Sequence, residues 1–337
     1  MTPKHPLQSF YEPAVTRRAL IRGAALLGAW PALAASQSTW PDRPVRFILS
    51  QPAGSGPDNV ARLLSERLGK ALGQPVVIEN KPGGQNVIGA QAAASAAPDG
   101  SNFYFATTAA LVTNRFLFKS LPYDPRKDFV PVAFIARSPF GVMVRADSPI
   151  DTMPALIARS KAAPGRLTLG NEGPRTFGGI IARLLNARGA IEANLVGYAS
   201  VRAAVQDVMG GHADAVVADL ASSAPLIRDG RLRLLAVTSG SRVAGWDKVP
   251  ALAEQLPGFE MVGWFAVVAP AGTPAAAIER LNRELGALLR DPEVAQRMLT
   301  IGPIADHLGA PAQLAAFLDQ EYARWEKAAQ EIGLLPE

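Results

Sequence analysis

The feature that most constrains this chain is a repeated order of short apolar strand, glycine- and proline-rich loop, and helix. Residues 45–49 form an apolar strand, a Gly/Pro loop follows, and apolar side chains then recur at helical spacing between Val60 and Leu72. A second unit begins with a strand at 75–79, and a third strand covers 102–106. This alternation predicts an open, mostly parallel sheet with helices on its faces.

The same order starts again further along the chain. A length of 337 residues allows two lobes, each with its own core. The segment after residue 257 becomes helical, and its helices are expected to pack back on the first lobe. We therefore predict a first α/β lobe from residues 35–136 and 258–337 and a second from 137–257. Strands of the second lobe are predicted at 167–169, 194–196, 215–218 and 232–237.

The N-terminus has the pattern of an export signal. Arg17, Arg18 and Arg22 precede an uncharged run of small and apolar residues that ends at Ala34. This predicts a signal peptide over residues 1–34 and an exported protein; the general secretory and twin-arginine routes both stay open. The segment holds four basic residues against one acidic residue, a net +3, so its removal lowers the net charge from +5 to about +2. With no basic stripe left, nucleic acid is not an expected partner, and no apolar run is long enough to span a membrane.

Three glycine-containing loops are the candidate binding elements. They cover residues 54–58 and 83–86 in the first lobe and 170–176 in the second, each between a strand and a helix. Such loops present backbone N–H groups and the positive end of a helix dipole, which suits a carboxylate or phosphate. The dinucleotide and phosphate-loop patterns are both incomplete here. The alternative is that the glycines serve only to form tight turns.

Catalytic patterns are not indicated. The chain has no cysteine and three histidines, and His212 and His307 are expected at the surface. The nucleophile-elbow pattern does not occur. Asp219, at the end of an apolar strand, is the acidic residue best placed to face a cleft. We predict no enzyme activity, no metal and no organic cofactor; Met209, Trp264 and Trp325 are predicted to be core residues.

Segments along the whole exported part of the chain resemble Bug-type solute-binding receptors of tripartite tricarboxylate transporters. Two of them, Leu121-Pro122-Tyr123-Asp124-Pro125 and Trp264-Phe265, belong to the most specific stretches. The matching segments, in order, are 52–58, 73–83, 97–100, 121–129, 235–239, 264–274 and 291–294.

The resemblance implies a type II periplasmic binding protein, in which two α/β lobes are joined by two crossing strands and close on a ligand between them. In that family the first two loops hold a ligand carboxylate through backbone N–H groups and ordered water. The ligand-binding residues implied here are Ala53, Gly54, Ser55, Gly56, Asp58, Gly84, Gln85, Asn86, Asn171, Arg175, Thr176 and Asp219.

The chain departs from the family pattern inside these loops. Ser55 replaces a glycine, Gln85 and Asn86 replace a Gly-Gly pair, and Glu172 and Arg175 replace small residues. We expect Arg175 to pair with a second anionic group on the ligand. The alternative is that Arg175 pairs with Glu172 or points to solvent.

The resemblance implies a monomeric periplasmic receptor that captures a small carboxylate (a dicarboxylate, an amino acid or an aromatic acid) for an integral-membrane permease. A sensory receptor with the same ligand chemistry is an alternative, and an enzyme acting on a small acid is a less favoured one.

Overall fold

The computed structural model describes residues 40–337, so the predicted signal peptide lies outside the described residues. One ten-stranded mixed sheet runs through this part of the chain, in the order β2-β1-β3-β9-β4-β7-β5-β6, with β8 and β10 also paired to β4. The strands are β1 Val45–Leu49, β2 Val76–Asn80, β3 Asn102–Thr107, β4 Phe129–Arg145, β5 Thr168–Asn171, β6 Asn194–Gly197, β7 Ala215–Asp219, β8 Leu232–Val237, β9 Val262–Pro270 and β10 Ile304–Ala305.

Helices cover both halves of this sheet. A π-helical turn, Ala109–Thr113, leads into one short helix. The helices are α1 Gly56–Leu72, α2 Val87–Ala94, α3 Asn114–Leu117, α4 Met153–Ala162, α5 Phe177–Gly189, α6 Val201–Gly210, α7 Leu220–Arg228, α8 Ala275–Leu289, α9 Pro292–Ile301 and α10 Pro311–Glu331. Short 3₁₀ turns, Gly84–Asn86 and Leu252–Glu254, complete the elements.

The sheet consists of two parallel groups joined by long antiparallel strands. β1 pairs in parallel with β2 and β3, and β5 pairs in parallel with β6 and β7. The 17-residue β4 pairs with β9 over its first part and with β7 and β8 over its last part. The predicted mostly parallel sheet is therefore a mixed sheet, because β4 and β9 run antiparallel to their neighbours.

The two passages of the chain between the sheet halves are tied together at Thr238. This buried residue donates its N–H to the Phe140 carbonyl, 2.9 Å away, and its hydroxyl donates to the Met261 carbonyl, 2.6 Å away. Phe140 N–H in turn donates to the Thr238 hydroxyl at 3.1 Å. These contacts lie close to the predicted lobe boundaries at 136/137 and 257/258, but the division of the chain at those positions stays a prediction.

Each half has an apolar core that follows from the amphipathic spacing of its helices. In the first half, Leu64 and Leu68 of α1 and Leu281 of α8 pack with Phe47 of the sheet. Full burial of one such side chain stabilises the fold by about 1.5–3 kcal/mol. Helix α8 therefore packs on the first half, whereas the Trp325 ring of α10 also lies 5.2 Å, centroid to centroid, from the Phe177 ring of the second half. That the C-terminal helices belong to the first lobe stays a prediction.

Candidate functional site

A cavity of about 1200 Å³ lies between the two halves, at the carboxyl ends of their parallel strands. This is the edge of an open α/β sheet where ligands bind in general. Four aromatic residues, Phe140, Phe177, Trp264 and Phe265, supply part of its apolar surface. The polar and charged lining residues include Gln51, Ser55, Asn86, Thr107, Glu172, Thr176, Ser200, Arg202, Asp219, Ser222 and Arg231.

The N-terminus of α1 forms the first-half wall. Residues 53–57 line the cavity, and Ser55 is the N-cap residue of α1. Ser55 makes no side-chain capping bond, and its hydroxyl has no partner within residues 40–337. By contrast, Thr176, Ser200 and Asp219 each accept a backbone N–H of their own helix. The uncapped end of α1 therefore offers donors to an anionic ligand.

Asp58 holds this loop without lining the cavity. Its carboxylate accepts the Gly54 N–H at 2.8 Å, Arg62 Nε at 2.9 Å and Asn80 Nδ2 at 2.9 Å. Burial alone would raise the pKa of Asp58, but these donors outweigh it and hold the pKa below its usual value. Asp58 was predicted to contact ligand; the structure instead shows a satisfied carboxylate that positions residues 53–56.

The second loop contributes one predicted residue to the cavity, Asn86. Gln85 and Asn86 both have positive φ, 52° and 76°, and the Gln85 carbonyl accepts Asn114 Nδ2 at 2.8 Å. The Asn86 side chain accepts Gln51 Nε2 at 2.7 Å. This turn directs Asn86 to the cavity and leaves Gly84 and Gln85 outside its lining.

In the second-half loop, some of the predicted ligand-binding residues line the cavity and others do not. Asn171 is buried, and its Oδ1 accepts the Gly173 N–H at 2.9 Å, so it shapes the loop and does not line the cavity. Thr176 lines the cavity and caps α5 through the Gly179 N–H at 3.1 Å. Glu172, named from sequence only as a departure from the family pattern, lines the cavity as well.

Arg175 points away from the cavity. Its guanidinium donates to the carbonyls of Leu117 and Leu335 and pairs with Glu337 at 3.0 Å. This geometry contradicts the expectation that Arg175 pairs with a ligand anion, and it also differs from the alternative pairing with Glu172. The physical reason is that the carbonyls of Leu117, at the end of α3, and of Leu335, in the C-terminal segment, lie within reach of the side chain.

Two carboxylates face the cavity from the second half. Asp219 accepts the Ser222 N–H at 2.7 Å, and Glu172 accepts the Gly178 N–H at 3.3 Å. Burial, together with the negative charge of Asp219, raises the pKa of Glu172 to about 7. Burial also raises the pKa of Asp219, although hydrogen bonds from Ser222 oppose the change. Asp219 thus lines the cavity, and its contact with a ligand stays a prediction.

Several lining residues were missed from sequence. Trp264 was predicted only as core, but its buried ring also borders the cavity, and its Nε1 donates to the buried Glu321 at 2.8 Å. Met209 was predicted as core in the same way and lines the cavity from α6. Arg202 could have been suspected, since it follows the Ser200 N-cap at the start of an amphipathic helix.

The two histidines of the described residues, His212 and His307, lie outside the cavity. His212 is exposed, as predicted, whereas His307 is half-buried against Gly286 and its pKa is lowered by burial, contrary to the expected surface position. Within residues 40–337, no group of three or more His, Cys, Asp or Glu side chains could hold a metal ion. None of the helices in that same region is long and apolar enough to cross a membrane.

Comparison with known proteins gives consistent matches. Residues 60–334 match the model of the tripartite tricarboxylate transporter family receptor. The chain is 32% identical to BugT of Bordetella pertussis over 323 residues, which are 95% of this chain and 98% of BugT. The structure of R. palustris Rpa4515 with adipate superposes with a TM-score of 0.82 at 31% identity, covering 88% of this chain and all of that one. MatC from Rhodopseudomonas palustris with bound malate gives a TM-score of 0.75 at 27% identity, covering 86% and 99%.

Proposed function

The chain belongs to the tripartite tricarboxylate transporter family of receptors, and we propose that it captures a small carboxylate in the periplasm and delivers it to a membrane permease. It is a solute-binding receptor with the α/β fold of type II periplasmic binding proteins. We propose that the receptor hands its ligand over to the permease and acts as a monomer. We also propose that a signal peptide over residues 1–34 directs it to the periplasm.

The observation that carries the proposal is the uncapped N-terminus of α1 at the cavity. The free Ser55 hydroxyl and the N–H groups of Gly56 and Asp58, at the start of a 17-residue helix whose second residue, Pro57, has no N–H, provide directional donors and a positive partial charge. Asp58 fixes the loop that carries them through the Gly54 N–H. An anionic ligand bound there needs little reorganisation of the wall, which favours affinity.

The similar structures named above support an acid as the ligand. One contains adipate and the other malate, and both are small carboxylates. The Gly54 and Ser55 N–H groups are already bonded within the chain, but the Ser55 hydroxyl and the N–H groups at the start of α1 suit one carboxylate of either molecule. The cavity volume of about 1200 Å³ leaves room for a ligand of this size together with ordered water.

We further propose that the bound acid is released unchanged. Among the described residues that line the cavity are serine and threonine hydroxyls, but neither a histidine nor a cysteine. A hydroxyl nucleophile requires an adjacent general base within hydrogen-bond reach. The Ser222 hydroxyl does donate to Asp219 at 2.8 Å, but this contact belongs to the cap of α7, where Asp219 also accepts the Ser222 N–H at 2.7 Å.

The test is a thermal-shift assay of the purified protein with malate, adipate and benzoate, and with the neutral diamide of adipate as a control. A ligand at a hundred times its dissociation constant stabilises the folded state by about 2.7 kcal/mol. For roughly 300 ordered residues this raises the unfolding midpoint by about 4 °C. We expect at least one acid to give such a shift and the diamide to give none. A flat response to every acid contradicts the proposal.

A further inference from the structure

The second-half wall of the cavity carries two carboxylates on neighbouring strands. β5 and β7 pair in parallel, with Gly170 opposite Val216, and Glu172 and Asp219 stand at the carboxyl ends of these two strands. Adjacent strands lie roughly 4.8 Å apart, so the two side chains start close together. Both line the cavity, and the charge of Asp219 contributes to the raised pKa of Glu172.

This pair has no cationic partner within residues 40–337. Neither carboxylate forms an ion pair in the described part of the chain. The hydrogen bond that Glu172 accepts comes from an uncharged donor, the Gly178 N–H at the start of α5, 3.3 Å away. The cations that line the cavity, Arg202 and Arg231, are exposed and lie beyond ion-pair distance of both carboxylates.

The opposite wall has the complementary polarity. It consists of the uncapped α1 N-terminus and the Ser55 hydroxyl. The acidic residue of this loop, Asp58, is buried away from the cavity and accepts hydrogen bonds from Gly54, Arg62 and Asn80. The cavity therefore has a donor-rich anion site on one side and unpaired carboxylates on the other. A ligand with one negative and one positive end would match both walls, whereas a dianion would bring a second negative charge toward Glu172 and Asp219.

We infer that the receptor selects an amino acid, whose carboxylate binds at the N-terminus of α1 and whose ammonium binds between Glu172 and Asp219. This inference rests on the proposed function and names the ligand class of the same cavity. An ammonium group supplies three donors, enough to reach both carboxylates, and its charge replaces the missing counter-charge of the pair.

The experiment compares acids that share a carbon skeleton. L-aspartate and L-malate differ in an ammonium or a hydroxyl on the same carbon, and 2-aminoadipate differs from adipate by an added ammonium. Isothermal titration calorimetry of the purified protein at pH 8 should give tighter binding of each amino acid than of its partner. A charge-assisted hydrogen bond is expected to change affinity by about 10- to 100-fold. Putrescine, an amine without a carboxylate, should not bind.

The variant Glu172→Gln tests the residue assignment. It should lower the affinity for aspartate by about 10-fold or more while leaving the affinity for malate unchanged or improved, because the repulsion of the second carboxylate is reduced. Glu279→Gln, on an exposed part of α8 away from the cavity, is the matched control and should change neither affinity. Circular dichroism and the unfolding midpoint check that both variants are folded.

The pH dependence gives an independent readout. Protonation of Glu172, whose pKa is raised to about 7, removes the negative partner of an ammonium. Affinity for aspartate should therefore fall between pH 8 and pH 6, whereas affinity for malate should rise, and Glu172→Gln should flatten both trends. The other charged groups that line the cavity, Asp219, Arg202 and Arg231, are unchanged in this variant.

Three other outcomes have distinct meanings. If malate or adipate binds as tightly as its amino partner, the inference is wrong and the proposed carboxylate receptor stands. If putrescine binds alone, the carboxylate half of the recognition is wrong. If none of the four acids binds, the inference is wrong, and the proposed function is contradicted as well when benzoate gives no thermal shift.

Discussion

Gly56 is the first residue of α1 and lies where the two halves of the molecule meet at the cavity. A Cβ at this position would be 2.8 Å from the Cβ of Ala221 at the start of α7. Gly56 does not have a positive φ, so alanine is compatible with the backbone there. The substitution Gly56→Ala thus adds a methyl group whose main effect is to push α7 away from the loop at residues 53–56.

The size of the effect follows from this contact. Real Cβ atoms essentially never approach within 3.0 Å, so α1 and α7 must separate by a few tenths of an ångström. Gly302 also lies tightly against Ala221: a Cβ built on Gly302 would be within 2.6 Å of backbone atoms of Ala221. This close approach leaves α7 little room to shift sideways. Overpacking of this kind costs about 1–3 kcal/mol. If closure on ligand requires the contact, affinity should fall by roughly 5- to 150-fold.

The assay is calorimetric titration of whichever acid shifts the unfolding midpoint, compared between wild type and Gly56→Ala. Small-angle scattering of the liganded proteins should show a larger radius of gyration for the variant. The double variant with Ala221→Gly removes the opposing methyl and should recover most of the lost affinity. Unchanged affinity in Gly56→Ala, or failure of Ala221→Gly to restore it, would refute the role assigned to this contact.

Two further predictions concern residues that were expected at the ligand. Arg175→Ala should lower the free energy of unfolding by about 1 kcal/mol in urea titrations, because it removes hydrogen bonds to the Leu117 and Leu335 carbonyls. Ligand affinity should stay unchanged. The control is Arg159→Ala, on an exposed face. Asp58→Asn should lower stability at pH 7 by about 1–3 kcal/mol and also weaken ligand binding. Because the folded-state pKa of Asp58 is depressed, its contribution is present at neutral pH and lost below about pH 4, so wild type and Asp58→Asn should converge in acid.

The secondary structure and the loops at the cavity could be predicted because they depend on neighbouring residues. The spacing of apolar side chains between Val60 and Leu72 gives α1, and Gly73 in the left-handed conformation ends it. The loop at 53–57 follows from the same local pattern, and it does line the cavity. The long antiparallel β4 was not predicted as a strand, because its pairing with β9 joins residues more than a hundred positions apart.

The direction of individual side chains could not be predicted in the same way. Arg175 was assigned to the ligand because it stands in a glycine-containing loop at a helix N-terminus. Its actual partners, Leu117 and Leu335, lie 58 and 160 positions away along the chain. For Gln85, the deciding contact is the hydrogen bond from Asn114, which becomes possible only when the π-helical turn packs beside the second loop.

The acidic pair shows how strand order creates a property that no single motif contains. Glu172 and Asp219 are 47 positions apart, and each has a plain local explanation, a loop residue and a helix cap. Only the parallel pairing of β5 with β7 brings their carboxylates to the same end of neighbouring strands. Burial and the repulsion between the two carboxylates raise the pKa of Glu172, and no positive charge on that wall of the cavity compensates for the pair. The ligand can supply the missing positive charge, and this is why the selectivity between aspartate and malate depends on the fold as well as on the loop sequences.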